Sequence, residues 1–426
     1  MPLVAMDLRS THDTGVARYG RSLLAAVAAP ARAAGFRLLV VVRDGAQAAT
    51  HDLLVGQECA DTHKIVGIPG DTGFLRDSGV LRSLLTRRRV DLYHSTHYVV
   101  DLACPVPYVF TVHDLLRWRF PRLTASDEDF VKTYGKQCLH DLWSEILDPN
   151  RGPSAQAARA APAELDPSCG VFARGFAVLT RRLVRSASHV VTVSEATARE
   201  MAELVPPPGG SIVVPGGVDT DVFRPRGRGE IDAARTAHRL VGPYVLYVGL
   251  AHRGKRLPWL IRELVGARPG LPPDTRFLVV GGHAERDEET RRAVEALDAA
   301  DFVRFAGRVD DDDLAALYTG ATACLSASVG EGSHLPSQEA LACGCEVVAP
   351  DLPALRETTA GHAHLYSPGR AGLPGSLVTG LLDGTVPARA RGYAPGSWHD
   401  SAVRLIACWE SILGGRNGVL PPSPLS

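Results

Sequence analysis

Short apolar runs alternating with helical stretches constrain this chain more than any other feature. In the first half the runs fall at 3–6, 38–42, 90–94, 108–112, 189–193 and 211–214. Each is four or five residues of mainly Val, Leu, Ala and aromatic side chains. A strand with so few polar positions is buried on both faces, as in a parallel sheet covered by helices. Residues 19–29 read as a helix with Pro30 just past its end, 172–185 as an amphipathic helix, and Ser194 caps a helix through Leu204. The rhythm restarts after Pro243, with strands at 244–248, 277–280, 302–305 and 323–325 and another begun by Val347-Val348. A last helix begins near Trp398 and finishes around Leu413. The expected fold class is α/β, with doubly wound parallel sheets.

A chain of 426 residues is long for one core, so two domains are expected. Pro215-Gly216-Gly217-Val218-Asp219 is a turn cluster, and the Arg/Gly-rich stretch 224–242 between Pro225 and Pro243 is the linker candidate. The expected domains are therefore 1–225 and 226–408, with a C-terminal helix at about 409–420 packing back on the first. Residues 122–175 read as an insertion, part helix and part loop. Its Ala/Pro-rich portion suits either a specificity loop or disorder.

Chemistry concentrates at 331–357. A strand at 323–325 feeds a Gly-containing loop, Pro336 opens a helix, Gly344 stops it, and Val347 starts the next strand. Glu331 and Glu339 lie eight residues apart at the ligand-facing end of this unit, with Glu339 expected in the first helical turn. Free N–H groups at a helix start suit a phosphate, and a carboxylate one turn in suits a sugar hydroxyl. Ligands of such sheets sit beyond the carboxyl ends of strands, which is also where His113 falls.

The totals narrow the partners. Charge is balanced, 46 basic against 47 acidic, which gives no reason to expect nucleic acid or an anionic membrane as main partner. Only four of the basic residues are lysines, so Lys255 in a loop between strand and helix carries more weight than usual. The eight cysteines form no CxxC pair or zinc spacing, which points to buried thiols in a reducing compartment. The N-terminus runs straight into a strand without a signal-like segment, and no apolar run approaches the roughly 20 residues of a membrane span. A cytoplasmic protein is expected.

Together the pieces resemble glycosyltransferase family 4, the retaining nucleotide-sugar glycosyltransferases of GT-B fold, whose two Rossmann-like domains face across a cleft. The resemblance is strongest over 244–358. It extends to Gly15, His113-Asp114, Ser194-Glu195, and Val214 to Asp219 with Phe223, but not to the insertion at 122–175. Glu331 and Glu339 meet the family's two-glutamate pattern, supported by Leu335-Pro336 and the run from Glu339 to Gly344.

The resemblance implies a role for each matching residue. Glu339 would bind the donor ribose and Glu331 the transferred sugar. Lys255 and Arg253 would bind the donor diphosphate, together with Gly15 and the loop Gly332-Ser333-His334-Leu335. Gly307, Arg308 and Val309 would line the base pocket. His113 would meet the transferred sugar from the other domain, making His113 and Glu331 the catalytic pair.

Plainer readings stand beside these: a solvated loop charge for Lys255 or Arg253, a structural histidine at 113, a turn glycine at 15, and a dipole-favouring acid at 339. Asp310 to Asp313 precede a helix, where acids are favourable without any metal. No metal and no cofactor beyond the nucleotide-sugar co-substrate is expected. One departure stands out: the family usually has Phe-Gly where this chain has Ser333-His334.

The implied function is transfer of a hexosyl group, from a GDP-mannose or UDP-hexose donor, to a hydroxyl of a glycan, lipid-linked or small-molecule acceptor. Nucleic acid is not an expected partner, and membrane contact is at most peripheral. The alternative is a catalytically impaired nucleotide-binding scaffold or partner subunit of the same fold. A nicotinamide enzyme ranks below both, because no strand is followed by G-x-G-x-x-G with an acid about 20 residues later.

Overall fold

A computed structural model describes residues 1–9, 14–55, 64–68, 78–97, 104–120, 123, 171–282 and 284–414. Most of the expected insertion at 122–175 and the tail beyond 414 lie outside these residues. The chain divides into two compact units. The first is Met1–Pro215 with the returning segment from Trp398, and the second is Gly216–Ser397.

Unit 1 is built on a parallel sheet of seven strands: β1 (Leu3–Asp7), β2 (Arg37–Arg43), β3 (Lys64–Ile68), β4 (Leu92–Ser95), β5 (Tyr108–Val112), β6 (His189–Thr192) and β7 (Ser211–Val213). Their spatial order is β3-β2-β1-β4-β5-β6-β7. The chain moves outward from β1 to β3, then returns to the other side of β1 with β4. Side chains alternate between faces along each strand. Val4, Met6, Leu38, Val40, Leu92 and Val109 enter one core, whereas Ala5, Leu39, Val41, Tyr93 and Phe110 enter the other. Burial on both faces explains why the strands read as continuous apolar runs.

The first of those cores is closed by two helices. Gly15–Ala33 is capped by Thr14, whose hydroxyl accepts from Ala17 N–H, and it buries Tyr19, Leu23, Leu24, Val27 and Ala31. Pro30 sits inside this helix instead of ending it. A proline forfeits its own N–H bond but leaves its carbonyl usable, and Ala34 N–H donates to Pro30 O at 2.9 Å. The second helix, Trp398–Leu413, buries Ala402, Leu405, Cys408 and Trp409 against the same core.

Unit 2 repeats the plan with six parallel strands: β8 (Tyr244–Val248), β9 (Arg276–Val280), β10 (Val303–Gly307), β11 (Ala323–Leu325), β12 (Val347–Pro350) and β13 (His364–Tyr366). Their order is β10-β9-β8-β11-β12-β13, again reversing direction beside the first strand.

The domain boundary falls at 215/216 rather than 225/226. Val218 and Phe223 are buried in the core of unit 2, so the turn cluster already belongs to it. The expected linker at 224–242 contains a helix, Arg228–Ala237, whose Ala234 packs on the same core. Unit 2 ends at Ser397, so all of Trp398–Leu413 belongs to unit 1, not only the part beyond 408. Among the described residues no helix is long and apolar enough to cross a membrane.

Candidate functional site

In unit 2 the sheet order reverses between β8 and β11, and two loops leave the carboxyl ends of those strands there. Such a reversal opens a crevice in doubly wound sheets. The loop after β8 runs through a short 3₁₀ turn, Arg253–Lys255, fixed by His252 Nδ1 accepting from Gly254 N–H. The loop after β11 carries Glu331 to His334. The two are tied directly, Val329 N–H donating to Gly254 O at 3.0 Å.

Across this junction Lys255 Nζ donates to Glu331 Oε1. The Glu331 side chain is 8% exposed and that of Lys255 is 23%. Burial pushes the Glu331 carboxyl up, but Lys255, His334 and a Ser328 hydrogen bond outweigh it and hold its pKa at about 2. His334 Nε2 lies 3.8 Å from the same Oε1. Burial, only partly offset by Glu331, lowers the His334 pKa to about 4, so its ring is neutral near pH 7.

His334 is also the N-cap of the helix Leu335–Ala342, in the left-handed region at φ 54° and ψ 69°. Left-handed backbone favours glycine, which is the residue the family resemblance expects here. The turn is held by its own side chains. His334 Nδ1 lies 2.6 Å from Ser337 Oγ, Gln338 Nε2 donates to Ser333 Oγ and O, and Thr358 Oγ1 donates to Ser333 O. Leu335 is buried beneath it.

Because the helix starts at Leu335, Glu339 is its fifth residue and lies past the first turn, contrary to the expectation. Nor is it an exposed, dipole-favouring acid, being 4% exposed. Its carboxylate is near enough to Cys324 and Cys343 to add to the burial that raises both thiols, Cys343 to about 12.

Arg253 turns from Glu331 toward Glu289, its Nε 3.3 Å from Oε1, with both side chains about half exposed. Gly307 ends β10 at φ 67°, and its carbonyl accepts from Gly281 N–H at 2.7 Å. Gly281 in turn packs on the loop after β8: a Cβ there would lie 2.1 Å from Gly249 O. The first turns after β8, β9 and β10 are thus joined. Arg308 is exposed and Val309 half buried just beyond. Asp310 caps the helix Asp311–Gly320, accepting from Asp313 N–H, which is the helix-start role. Among the described residues no group of three His, Cys, Asp or Glu is placed to hold a metal.

Unit 1 has its own reversal, between β1 and β4. His113 directly follows β5, and its Nε2 lies 2.8 Å from Thr96 O at the end of β4. A carbonyl only accepts, so Nε2 carries the hydrogen and Nδ1 is the acceptor. Burial lowers the His113 pKa despite Thr96 and Asp114, which leaves the ring neutral at pH 7. Tyr19 packs edge-on against it with centroids 4.9 Å apart. Gly15, at the first position of the helix carrying Tyr19, has no positive φ, and a Cβ added to it would meet nothing within 4 Å. A turn requirement therefore does not account for glycine at 15.

One network escaped the sequence reading. Asp7, 2% exposed at the end of β1, accepts from Arg9 Nη2 at 2.7 Å and from Tyr93 OH at 2.6 Å. An acid closing an apolar strand, with an arginine two residues on, was the available signal.

Comparison with known proteins gives this geometry a context. Residues 242–377, about a third of the chain, match the family model described as glycosyl transferases group 1. An MMP alpha-(1->4)-mannosyltransferase of Mycolicibacterium hassiacum is 27% identical over 250 residues, covering 56% of this chain and 58% of the relative. O-antigen chain mannosyltransferase B of Escherichia coli is 28% identical over 238 residues, covering 53% and 61%. The chain thus spans less than two thirds of the length of these relatives. Among solved structures, Anabaena HepE in complex with UDP-glucose superposes with a TM-score of 0.61 at 16% identity, covering 97% of this chain and 96% of that one. The fold, two parallel-sheet α/β units, is the GT-B fold of glycosyltransferases.

Proposed function

We propose that this protein is a retaining hexosyltransferase of the family 4 type, which takes a GDP-mannose or UDP-hexose donor and transfers the sugar to an acceptor hydroxyl. The observation that carries the reading is the Lys255–Glu331 contact at the sheet reversal of unit 2. A cation for a phosphate and a carboxylate for hydroxyls stand side by side at the place where such sheets bind ligands. The family match over 242–377 covers this unit, and the relatives named mannosyltransferases favour mannose.

Unit 2 would bind the donor. Lys255 would leave Glu331 for the diphosphate and stabilise the charge that builds there as the sugar departs. Arg253 would join it by leaving Glu289. Gly15 and the loop from Gly332 to Leu335 would let backbone approach the phosphates, and Gly307, Arg308 and Val309 would flank the base. Glu331, freed from Lys255, would bind sugar hydroxyls, and Glu339 the ribose.

His113 belongs to unit 1, which would bind the acceptor, a glycan, lipid-linked or small-molecule hydroxyl. Its Nδ1 would accept a hydrogen bond from the transferred sugar. Attack on the same face as the departing diphosphate, through an oxocarbenium-like state, would retain the anomeric configuration, with the diphosphate taking up the acceptor proton. Two cationic side chains supply the charge that a metal would otherwise bring, so catalysis is proposed to be metal-independent, and turnover should persist in EDTA.

A donor screen by thermal shift, followed by anomeric analysis of the product, tests the reading. Glu339→Ala should weaken nucleotide binding, whereas His113→Ala should slow turnover with binding largely kept. Wild-type kinetics in both would overturn the site. Nucleotide binding without turnover or donor hydrolysis, across GDP- and UDP-hexoses with glycan and lipid-linked acceptors, would favour the scaffold alternative.

A further inference from the structure

The geometry points to His334 as a specificity-determining residue that, together with Glu331, reads one hydroxyl of the transferred sugar. The inference rests on the donor-site reading of unit 2 and goes beyond it in moving His334 from the phosphates to the sugar.

The backbone gives the first reason. His334 holds a left-handed conformation that glycine adopts without strain. Strained backbone that persists at a pocket is commonly kept for what the side chain does there. The imidazole is not idle: its side chain is 7% exposed and wedged between Ser337 and Glu331.

Hydrogen-bond chemistry gives the second. Nδ1 contacts Ser337 Oγ at 2.6 Å and Nε2 faces Glu331 Oε1 at 3.8 Å. A carboxylate only accepts, so the tautomer with its hydrogen on Nε2 faces Glu331 without lone-pair repulsion, and the Ser337 hydroxyl donates to Nδ1. His334 therefore presents a fixed N–H beside a fixed acceptor. The 3.8 Å separation is too long for a direct hydrogen bond. One oxygen about 2.8 Å from each atom would bridge the pair. That oxygen must accept from Nε2–H and donate to Oε1. A hydroxyl does both. A phosphate oxygen carries no hydrogen to donate and is repelled by Glu331. Lys255 contacts the same Oε1, so the proposed phosphate-binding cation lies next to the proposed sugar position.

A site built around one hydroxyl rejects the analogue that lacks it, because the buried donor and acceptor are then left unpaired. The test compares wild type, His334→Gly and His334→Asn, which tolerates left-handed backbone. Calorimetric binding is measured for GDP, UDP, GDP-mannose, UDP-glucose and the monodeoxy forms of both sugar nucleotides, with thermal unfolding as the folding check.

Wild type should bind one sugar nucleotide and lose at least tenfold in affinity when a particular sugar hydroxyl is removed. Both variants should lose that discrimination, to within about threefold, while the parent nucleoside diphosphate binds within threefold of wild type. Should His334→Gly fail to fold, His334→Asn carries the comparison. Retained discrimination in the folded variants would overturn the inference, as would an equal loss of affinity for the nucleoside diphosphate alone. Lys255→Ala separates this failure from that of the donor site. If it binds GDP and UDP as wild type does, the donor site and the role of His334 fall together. If it binds them weakly while the His334 variants keep their discrimination, only the role of His334 falls.

Discussion

Glu331 is the residue on which the proposed donor half-site turns, and its electrostatics are testable without any ligand. Its pKa is held at about 2, below the ordinary 4.5, by Lys255 and His334 against the opposing effect of burial. The ionised carboxylate therefore stabilises the fold above about pH 4.5, and the contribution fades as pH falls toward 2. Glu331→Gln should lower unfolding stability at pH 7 by about 3 kcal/mol, since it leaves the Lys255 ammonium unpaired. The difference from wild type should shrink between pH 5 and pH 3 in denaturant titrations, and a pH-independent difference would show that the pair is not what lowers the pKa.

Two glycines make an opposed pair at the same scale. Gly281 has φ 142° and would set a Cβ 2.1 Å from Gly249 O. Gly281→Ala should cost roughly 2 kcal/mol or more and loosen the loop carrying Lys255. Gly15 has open space and ordinary backbone, so Gly15→Ala should keep or raise stability by up to about 1 kcal/mol. Its turnover should nonetheless fall at least tenfold if the donor diphosphate approaches there; unchanged turnover would return Gly15 to the background.

Elements were legible in the sequence where burial makes their pattern one-sided. Central strands such as Tyr108–Val112 and Tyr244–Val248 have apolar neighbours on both faces, and their bounds agree with the sequence runs. Two of the four edge strands lack that signature. Lys64–Ile68 is half buried and His364–Tyr366 only three residues long, and neither stood out. Arg228–Ala237 read as linker because its one fully buried side chain is Ala234.

At the site, the candidacy of Glu331 and of Lys255 followed from their motifs, though their direct contact at the sheet reversal did not. The Ser337, Gln338 and Thr358 partners did not, because their contacts depend on a left-handed residue that the sequence marks with histidine. Trp398–Leu413 has large energetic leverage through the side chains it buries. Trp409 is fully buried there, against Phe36 with centroids 5.8 Å apart. Trp409→Ala should destabilise unit 1 by about 3–5 kcal/mol, read as a lowered denaturation midpoint for that unit. A loss below 1 kcal/mol would mean that the helix is only loosely docked.

At the scale of the molecule the two units differ in kind. Unit 2 is one continuous segment, Gly216–Ser397, whereas unit 1 is assembled from two separated segments. A fragment of residues 216–397 should unfold cooperatively and retain nucleoside diphosphate binding by calorimetry. Residues 1–215 alone should not reach a cooperative fold until a peptide covering 398–413 is added. Cooperative unfolding of 1–215 by itself would show that the returning helix is dispensable.

That returning helix also sets a schedule for biosynthesis. The helix Trp398–Leu413 completes a core begun well before it, and all of Gly216–Ser397 is translated in between. At about 5–20 residues per second, those intervening residues, roughly 180 of them, take on the order of 10–40 s. Through that interval the sheet face awaiting Leu405 and Trp409 stays bare while unit 2 can already close. The nascent chain is then open to aggregation or chaperone capture at unit 1, and slow codons across residues 216–413 would lengthen that exposure.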